Sequence, residues 1–293
     1  MAEQRDMQWP FSVASVVGAW KLDETSGTSA GDWSGSGYNF TYDATAPAQF
    51  QTPTQSNTQL QWHWGYALNF DGTDDGTVRS GAASNLQLQT FTIEALIYIP
   101  TSYVASTTCI ISYFPKGANS DGRGWFFGAS STGKVQLSLG DASGAFISLN
   151  SVTSIPLDTW KYVACTFDGS YRDIWISGVS DVSNTQALTI SYADNPGFPG
   201  DVHTQNIGRA HTTAAVPTFF WKGYIADVRV SSVVRTQAEM IAMQEHLFPT
   251  ASESGLGDPP RGLGLVGLPF SPYMRYKNVR RAVGIYNNLM LAP

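Results

Sequence analysis

Apolar and polar residues alternate with a period of two in segment after segment of this chain. Between Thr90 and Ile99 the apolar positions Phe91, Ile93, Ala95, Ile97 and Ile99 share one face. In Lys134–Leu139, Val135, Leu137 and Leu139 point one way while Gln136 and Ser138 point the other. Trp160–Phe167 repeats the pattern through Val163, Cys165 and Phe167, and Ile174–Ile176 and Lys222–Val230 continue it. Successive side chains of a strand project to opposite sides, so each stretch predicts a strand with a core-facing side. Turn formers punctuate them: Asp71-Gly72, Asp121-Gly122, Thr132-Gly133, Gly140-Asp141 and Asp168-Gly169. Short strands set off by such turns predict an all-β sandwich or barrel of antiparallel sheets.

One segment changes period. Thr236-Gln-Ala-Glu239 has the spacing of a capping box, and Met240, Met243 and Leu247 follow at helical intervals. This predicts a short helix that closes the sandwich just before Pro249. Residues 44–61 are polar, rich in Gln and Thr and without pattern, and are expected to be a long surface loop. There is no internal repeat.

Composition agrees with a folded body, at 42% hydrophobic and 14% charged. Cys109 and Cys165 each lie in an apolar strand pattern and read as buried free thiols rather than a disulfide framework. The start, Met1 to Asp6, lacks the basic and apolar regions of a secretory leader, and no apolar run is long enough to span a membrane. Synthesis without export is therefore expected, with the sequon Asn39-Phe-Thr41 idle.

Five ordered motifs carry a resemblance. They are Val17-Gly-Ala-Trp-Lys-Leu-Asp-Glu-Thr-Ser-Gly27 with Asp32-Trp-Ser-Gly-Ser-Gly37, Ala67-Leu-Asn-Phe-Asp-Gly-Thr-Asp-Asp75, Phe91-Thr-Ile-Glu-Ala95, Trp160-Lys-Tyr-Val-Ala-Cys-Thr-Phe-Asp-Gly169, and Gly223-Tyr-Ile-Ala-Asp-Val-Arg-Val230. Together they resemble laminin-G-like domains of the concanavalin-A-like lectin/glucanase superfamily. The resemblance implies a jelly-roll sandwich of two antiparallel sheets over residues 16–248, with one short C-terminal helix. Residues 1–15 would precede it and an extended arm, 249–293, would follow. Departures from the family pattern are Leu96 for an aromatic, Ile176-Ser-Gly178 for Asp-Gly, and Ala226 for an acidic residue beside Asp227.

Chemistry is sparse. A glycoside hydrolase needs two carboxylates across the scissile bond, yet none of the six glutamates (3, 24, 94, 239, 245 and 253) sits in a period-2 acidic strand. Glu94 stands alone, is expected to point to a sheet surface, and matches the family's structural glutamate. The four histidines (63, 203, 211 and 246) are scattered, and no nucleophile elbow or phosphate-binding glycine loop occurs. The resemblance implies one structural calcium at Asp32 and Asp227, with Asp71, Asp74 and Asp75 as a second acidic cluster. Asx caps within turns are the competing reading of these aspartates. Trp62, Trp64 and Trp221 are the aromatics proposed for a sugar platform, core packing being the alternative.

The last 45 residues differ from the rest, with six prolines and six glycines. Arg261, Arg275, Lys277, Arg280 and Arg281 against Glu253 and Asp258 give them +3; since the whole chain is −6, the body carries −9. Arg275-Tyr-Lys-Asn-Val-Arg-Arg281 has the look of a nucleic-acid contact, but the acidic body and the apolar content of the arm favour a protein partner. The anchoring residues expected are Leu263, Phe270, Tyr273, Arg275, Arg280, Arg281 and Tyr286. The function expected is a non-catalytic structural component of a virion, as a capsid decoration, fibre or tail module made in the host cytoplasm. A free glycan-binding lectin is the alternative, and a glycoside hydrolase the third reading.

Overall fold

The computed structural model describes residues 13–24, 26–42, 49–51, 67–80, 83–115, 123–193, 203–213 and 216–248. Six strands come first: β1 (Val16–Trp20), β2 (Ser29–Ala30), β3 (Phe40–Tyr42), β4 (Gln49–Gln51), β5 (Ala67–Asp71) and β6 (Thr77–Ser80). Then come β7 (Phe91–Tyr98), β8 (Thr108–Pro115), β9 (Gly124–Ala129), β10 (Lys134–Gly140) and β11 (Phe146–Ser154). They lead to β12 (Trp160–Phe167), β13 (Tyr171–Ile176) and β14 (Val179–Thr185). Last are β15 (His203–Ile207), β16 (Ala210–Thr213), β17 (Val216–Thr218), β18 (Lys222–Ser231) and helix α1 (Gln237–Leu247). The chain divides into two units, Met1–Pro249 and Thr250–Pro293, and the second lies outside the described residues.

Two antiparallel sheets of eight strands face each other, as a jelly-roll sandwich requires. The first sheet runs β14-β13-β12-β7-β18-β5-β4, with β1 also paired to β18. The second runs β11-β10-β9-β8-β15-β6-β3-β2, and β16 and β17 form a separate ribbon. The predicted inward residues Phe91, Ile93, Val135, Leu137, Leu139, Val163, Cys165 and Phe167 all lie in one core between the sheets, beside Trp20 and Trp125. Both cysteines are buried and free.

Two expectations are revised. Within the stretch read as a loop, Gln49–Gln51 pairs with β5 as an edge strand; the rest of 44–61 lies outside the described residues. The first sheet is also buried on its outer face, which a half-buried strand pattern did not foresee. Helix α1 lies there, packing Met240, Met243 and Leu247 against Val16, Ala19, Tyr162, Ala164 and Trp175. Each of those three helix side chains contributes about 1.5–3 kcal/mol by leaving water. The capping box forms as expected: Glu239 N–H donates to Thr236 Oγ1 at 3.3 Å and Thr236 N–H to Glu239 Oε2 at 2.8 Å. Ser177 and Gly178, at φ 53° and 78°, make the left-handed β13–β14 turn, so serine takes the αL position usual for Asp or Asn.

One flank of the sandwich is tied by polar groups. Asp181 on β14 accepts from the N–H groups of Val152 and Thr153 on β11. The buried Arg172 on β13 donates to Ile147 O at 2.8 Å. Among the described residues no helix is long and apolar enough to cross a membrane.

Candidate functional site

The aspartates named for calcium are engaged in the fold. Asp32 Oδ1 accepts from the N–H groups of Ala19 (3.1 Å) and Ser34 (2.9 Å). Its Oδ2 accepts from Ser34 Oγ (3.0 Å) and Tyr38 N–H (2.9 Å). Asp227 is buried with φ 51°; its N–H donates to Lys21 O and its carboxylate lies 3.3 Å from the Arg229 guanidinium. Both therefore sit against the end of β1. Asp71, Asp74 and Asp75 bring three carboxylate oxygens within 4.8 Å of one another, a donor set of the kind hard cations use. Burial, aided by the other two charges, pushes Asp75 up to about 6.

Glu94 does not reach open solvent. It lies under α1, where Tyr162 Oη donates to its Oε1 at 2.5 Å and Arg229 is its cross-strand neighbour. Tyr162 Oη also lies 3.2 Å from the sulfur of Met240, and Arg229 donates to that of Met243. Burial raises Tyr162 well above its ordinary range, and Glu94 adds to this. Burial alone would lower Arg229, but Asp227, Glu94 and Tyr162 outweigh it and raise it. The strand pattern put Glu94 on the correct face; the helix that seals that face hid it.

Trp221 is 1% exposed and packs in the central core, leaving no ring face for a sugar. Trp62, Trp64 and the anchoring residues Leu263, Phe270, Tyr273, Arg275, Arg280, Arg281 and Tyr286 lie outside the described residues.

A set of residues not singled out in the sequence comes together on the outer face of the second sheet. Register places Gly140 beside Gly124 and opposite Phe146. No side chain rises from those two strands at this level, so the rings of Phe146 and Phe114 meet at 5.0 Å. Phe114 stacks on Phe126 at 6.0 Å, and Phe126 meets Phe219 edge-on at 5.9 Å. Phe219 closes the array with φ 57°, strain for a bulky residue of the kind that collects at functional sites. Its carbonyl accepts from Cys109 N–H at 2.8 Å, fixing the β16–β17 ribbon beside β8 as a wall.

The other end of this face is open. Phe146, Ser148 and Asn150 on β11 are exposed, Phe146 at 40%. Ser148 Oγ is hydrogen-bonded to Ser138 Oγ at 2.7 Å, and Asn150 stands opposite Gln136. Two buried polar atoms on the face have no partner among the described residues: Gln136 Oε1 and, at the walled end, Asn206 Oδ1. An unpaired buried polar group costs about 1–3 kcal/mol, so such atoms call for water or a ligand. An aromatic platform beside unspent hydrogen-bonding groups is the usual make-up of a small-ligand site.

The family model for concanavalin A-like lectin/glucanases (Laminin_G_3) matches residues 70–240, more than half of the chain. The chain belongs to the concanavalin A-like lectin/glucanase superfamily. No curated protein matches it. Among solved structures, the binding domain of botulinum neurotoxin DC in complex with SialylT is similar at TM-score 0.55 and 13% identity, covering 82% of this chain and 53% of that one. The binding domain of Paraclostridial Mosquitocidal Protein 1 gives 0.55 and 13%, over 80% of this chain and 52% of its own. Domain 4 of AbnA, a GH43 extracellular arabinanase from Geobacillus stearothermophilus, in complex with arabinotriose, gives 0.53 and 15%, over 78% and 98%. The chain thus spans about half the length of the toxin domains. At these identities the likeness speaks for the fold.

Proposed function

We propose that this protein is a non-catalytic, lectin-like component of a larger assembly, whose sandwich recognises glycans through the outer face of β8–β11. The observation that carries the reading is the exposed Phe146 ring on the same sheet face as Ser148, Asn150 and the unpartnered Gln136 Oε1. Superfamily membership supports it, as do the saccharides named with the toxin domain and the arabinanase domain. The non-catalytic part rests on Glu94, which is buried beneath α1, out of reach of a substrate, with its Oε1 accepting from Tyr162. A glycan array probed with the full chain tests the reading. Binding should appear and should fall with Phe146→Ala at unchanged melting temperature; binding indifferent to that change would sink the assignment of this face.

The assembly half of the proposal rests on the arm, whose +3 charge and apolar residues suit a protein surface. A virus or bacteriophage particle is the proposed setting, with residues 249–293 as anchor. Deleting them should leave a folded, glycan-binding sandwich that no longer joins the particle, and normal incorporation would refute the anchoring role. Structural calcium at Asp32 and Asp227 belongs to the same proposal. It should show as a calcium-dependent rise in melting temperature that Asp32→Asn removes.

A further inference from the structure

We infer that the saccharide taken by the Phe146 face is uncharged, without a sialyl or sulfate group. This rests on the glycan-recognition reading above and deepens it. The first argument is the chemistry of the unspent groups. Gln136 Oε1, the unspent atom toward the open end of the face, is a carbonyl oxygen, which accepts hydrogen bonds and cannot donate them. Sugar hydroxyls are donors that satisfy such atoms. Carboxylate and sulfate oxygens are acceptors and leave that carbonyl unsatisfied.

The second argument is the lack of a counter-charge. An anion removed from water needs a cation with well-placed hydrogen bonds. Among the described outward positions of β8–β11 and β15, the one side chain charged at neutral pH is Lys134. It begins β10 and pairs with Ser154, whereas Phe146 pairs with Gly140 at the other end of that strand. Six residues of extended chain separate those ends by roughly 20 Å. Arg123 precedes Gly124 near Phe146, but it is buried and donates to Ala193 O (3.3 Å) and Ala142 O (3.4 Å). The chain's net charge of −6 opposes anionic ligands at longer range.

The third argument is the platform. The aliphatic C–H face of a pyranose or furanose ring packs on an aromatic ring, and Phe146 is an exposed ring on the edge strand that carries Ser148 and Asn150 on the same face. Recognition then comes from ring stacking and neutral hydrogen bonds and depends little on salt.

The test is an array carrying neutral oligosaccharides beside their sialylated and sulfated counterparts, probed with the full chain at low and high salt. Neutral members should bind, their charged counterparts more weakly, and high salt should change the neutral signal little. Phe146→Ala should weaken neutral binding by about tenfold or more. Gln136→Lys, which replaces an acceptor by a cation, should lower neutral binding and raise binding of sialylated members. Preferential binding of charged glycans by the unaltered chain would overturn this inference while leaving glycan recognition standing. Absence of binding to every class would overturn the glycan-recognition reading itself.

Discussion

Replacing Glu94 by glutamine should destabilise the protein without altering glycan binding. The carboxylate is 1% exposed, accepts from Tyr162 Oη at 2.5 Å, and sits across the strand pair from the fully buried Arg229. A hydrogen bond to a charged group contributes about 1.5–3 kcal/mol, and breaking a buried ion pair outright costs about 3–5 kcal/mol. Glutamine keeps an acceptor for Tyr162, and Asp227 still faces Arg229, so the loss should fall near 2–3 kcal/mol. For a domain of this size that lowers the melting temperature by roughly 5–10 °C. Urea unfolding of Glu94→Gln, Tyr162→Phe and the double variant gives the coupling, expected at about 1–2 kcal/mol because the partners touch. A Glu94→Gln variant within about 0.5 kcal/mol of the parent, or strictly additive single changes, would refute a structural role. Loss of glycoside turnover in a chain of unchanged stability would instead restore Glu94 as a catalytic candidate.

Asp75 gives a pH prediction. Its pKa is about 6 folded against the ordinary 3.8, so the folded state holds the proton more tightly. Stability from that proton is complete below about pH 4 and lost as pH rises through about 6. Asp75→Asn, which keeps an acceptor for Asp71 N–H, should therefore raise the melting temperature at pH 7 and make little difference at pH 4; an equal effect at both would refute the account. Gly124→Ala should abolish folding or cost more than about 3 kcal/mol, because its φ is +85° and a Cβ would lie 1.9 Å from Tyr113 O; a normal unfolding curve counts against it. Thr236→Ala should cost about 1 kcal/mol through loss of the capping box, read by the same urea titration.

The elements visible in the sequence are those fixed by local pattern. The core faces of β7, β10 and β12 follow from alternation, and α1 follows from Thr236 and Glu239. What alternation could not convey is what lies on the second face of a strand. Leu96, Tyr162, Ala164 and Ala226 are buried outward-facing residues, because α1 and neighbouring aromatic side chains cover them. The Phe146 face was hidden for another reason. Phe114, Phe126, Phe146 and Phe219 come from separate strands and a loop, and they meet only through sheet register and the bare Gly124–Gly140 pair. Trp221 was misleading in the opposite sense, an aromatic in an aromatic-rich segment whose ring the core absorbs.

The position of β18 governs how the chain can fold as it is made. It is the last of the described strands in sequence, yet it lies within the first sheet, pairing with β7 and β5 and also with β1. Arg235 then joins Ser15 to Glu239, tying the first described residues to the helix. A growing polypeptide therefore exposes β5 and β7 without their shared partner until residues beyond 231 have been synthesised. Closure awaits contacts between the two ends of the sandwich, and the entropy of such long-range pairing makes the step slow. Until then the unfinished sheet presents apolar strands with open edges, so productive folding during overexpression should favour slow translation, low temperature or a holdase.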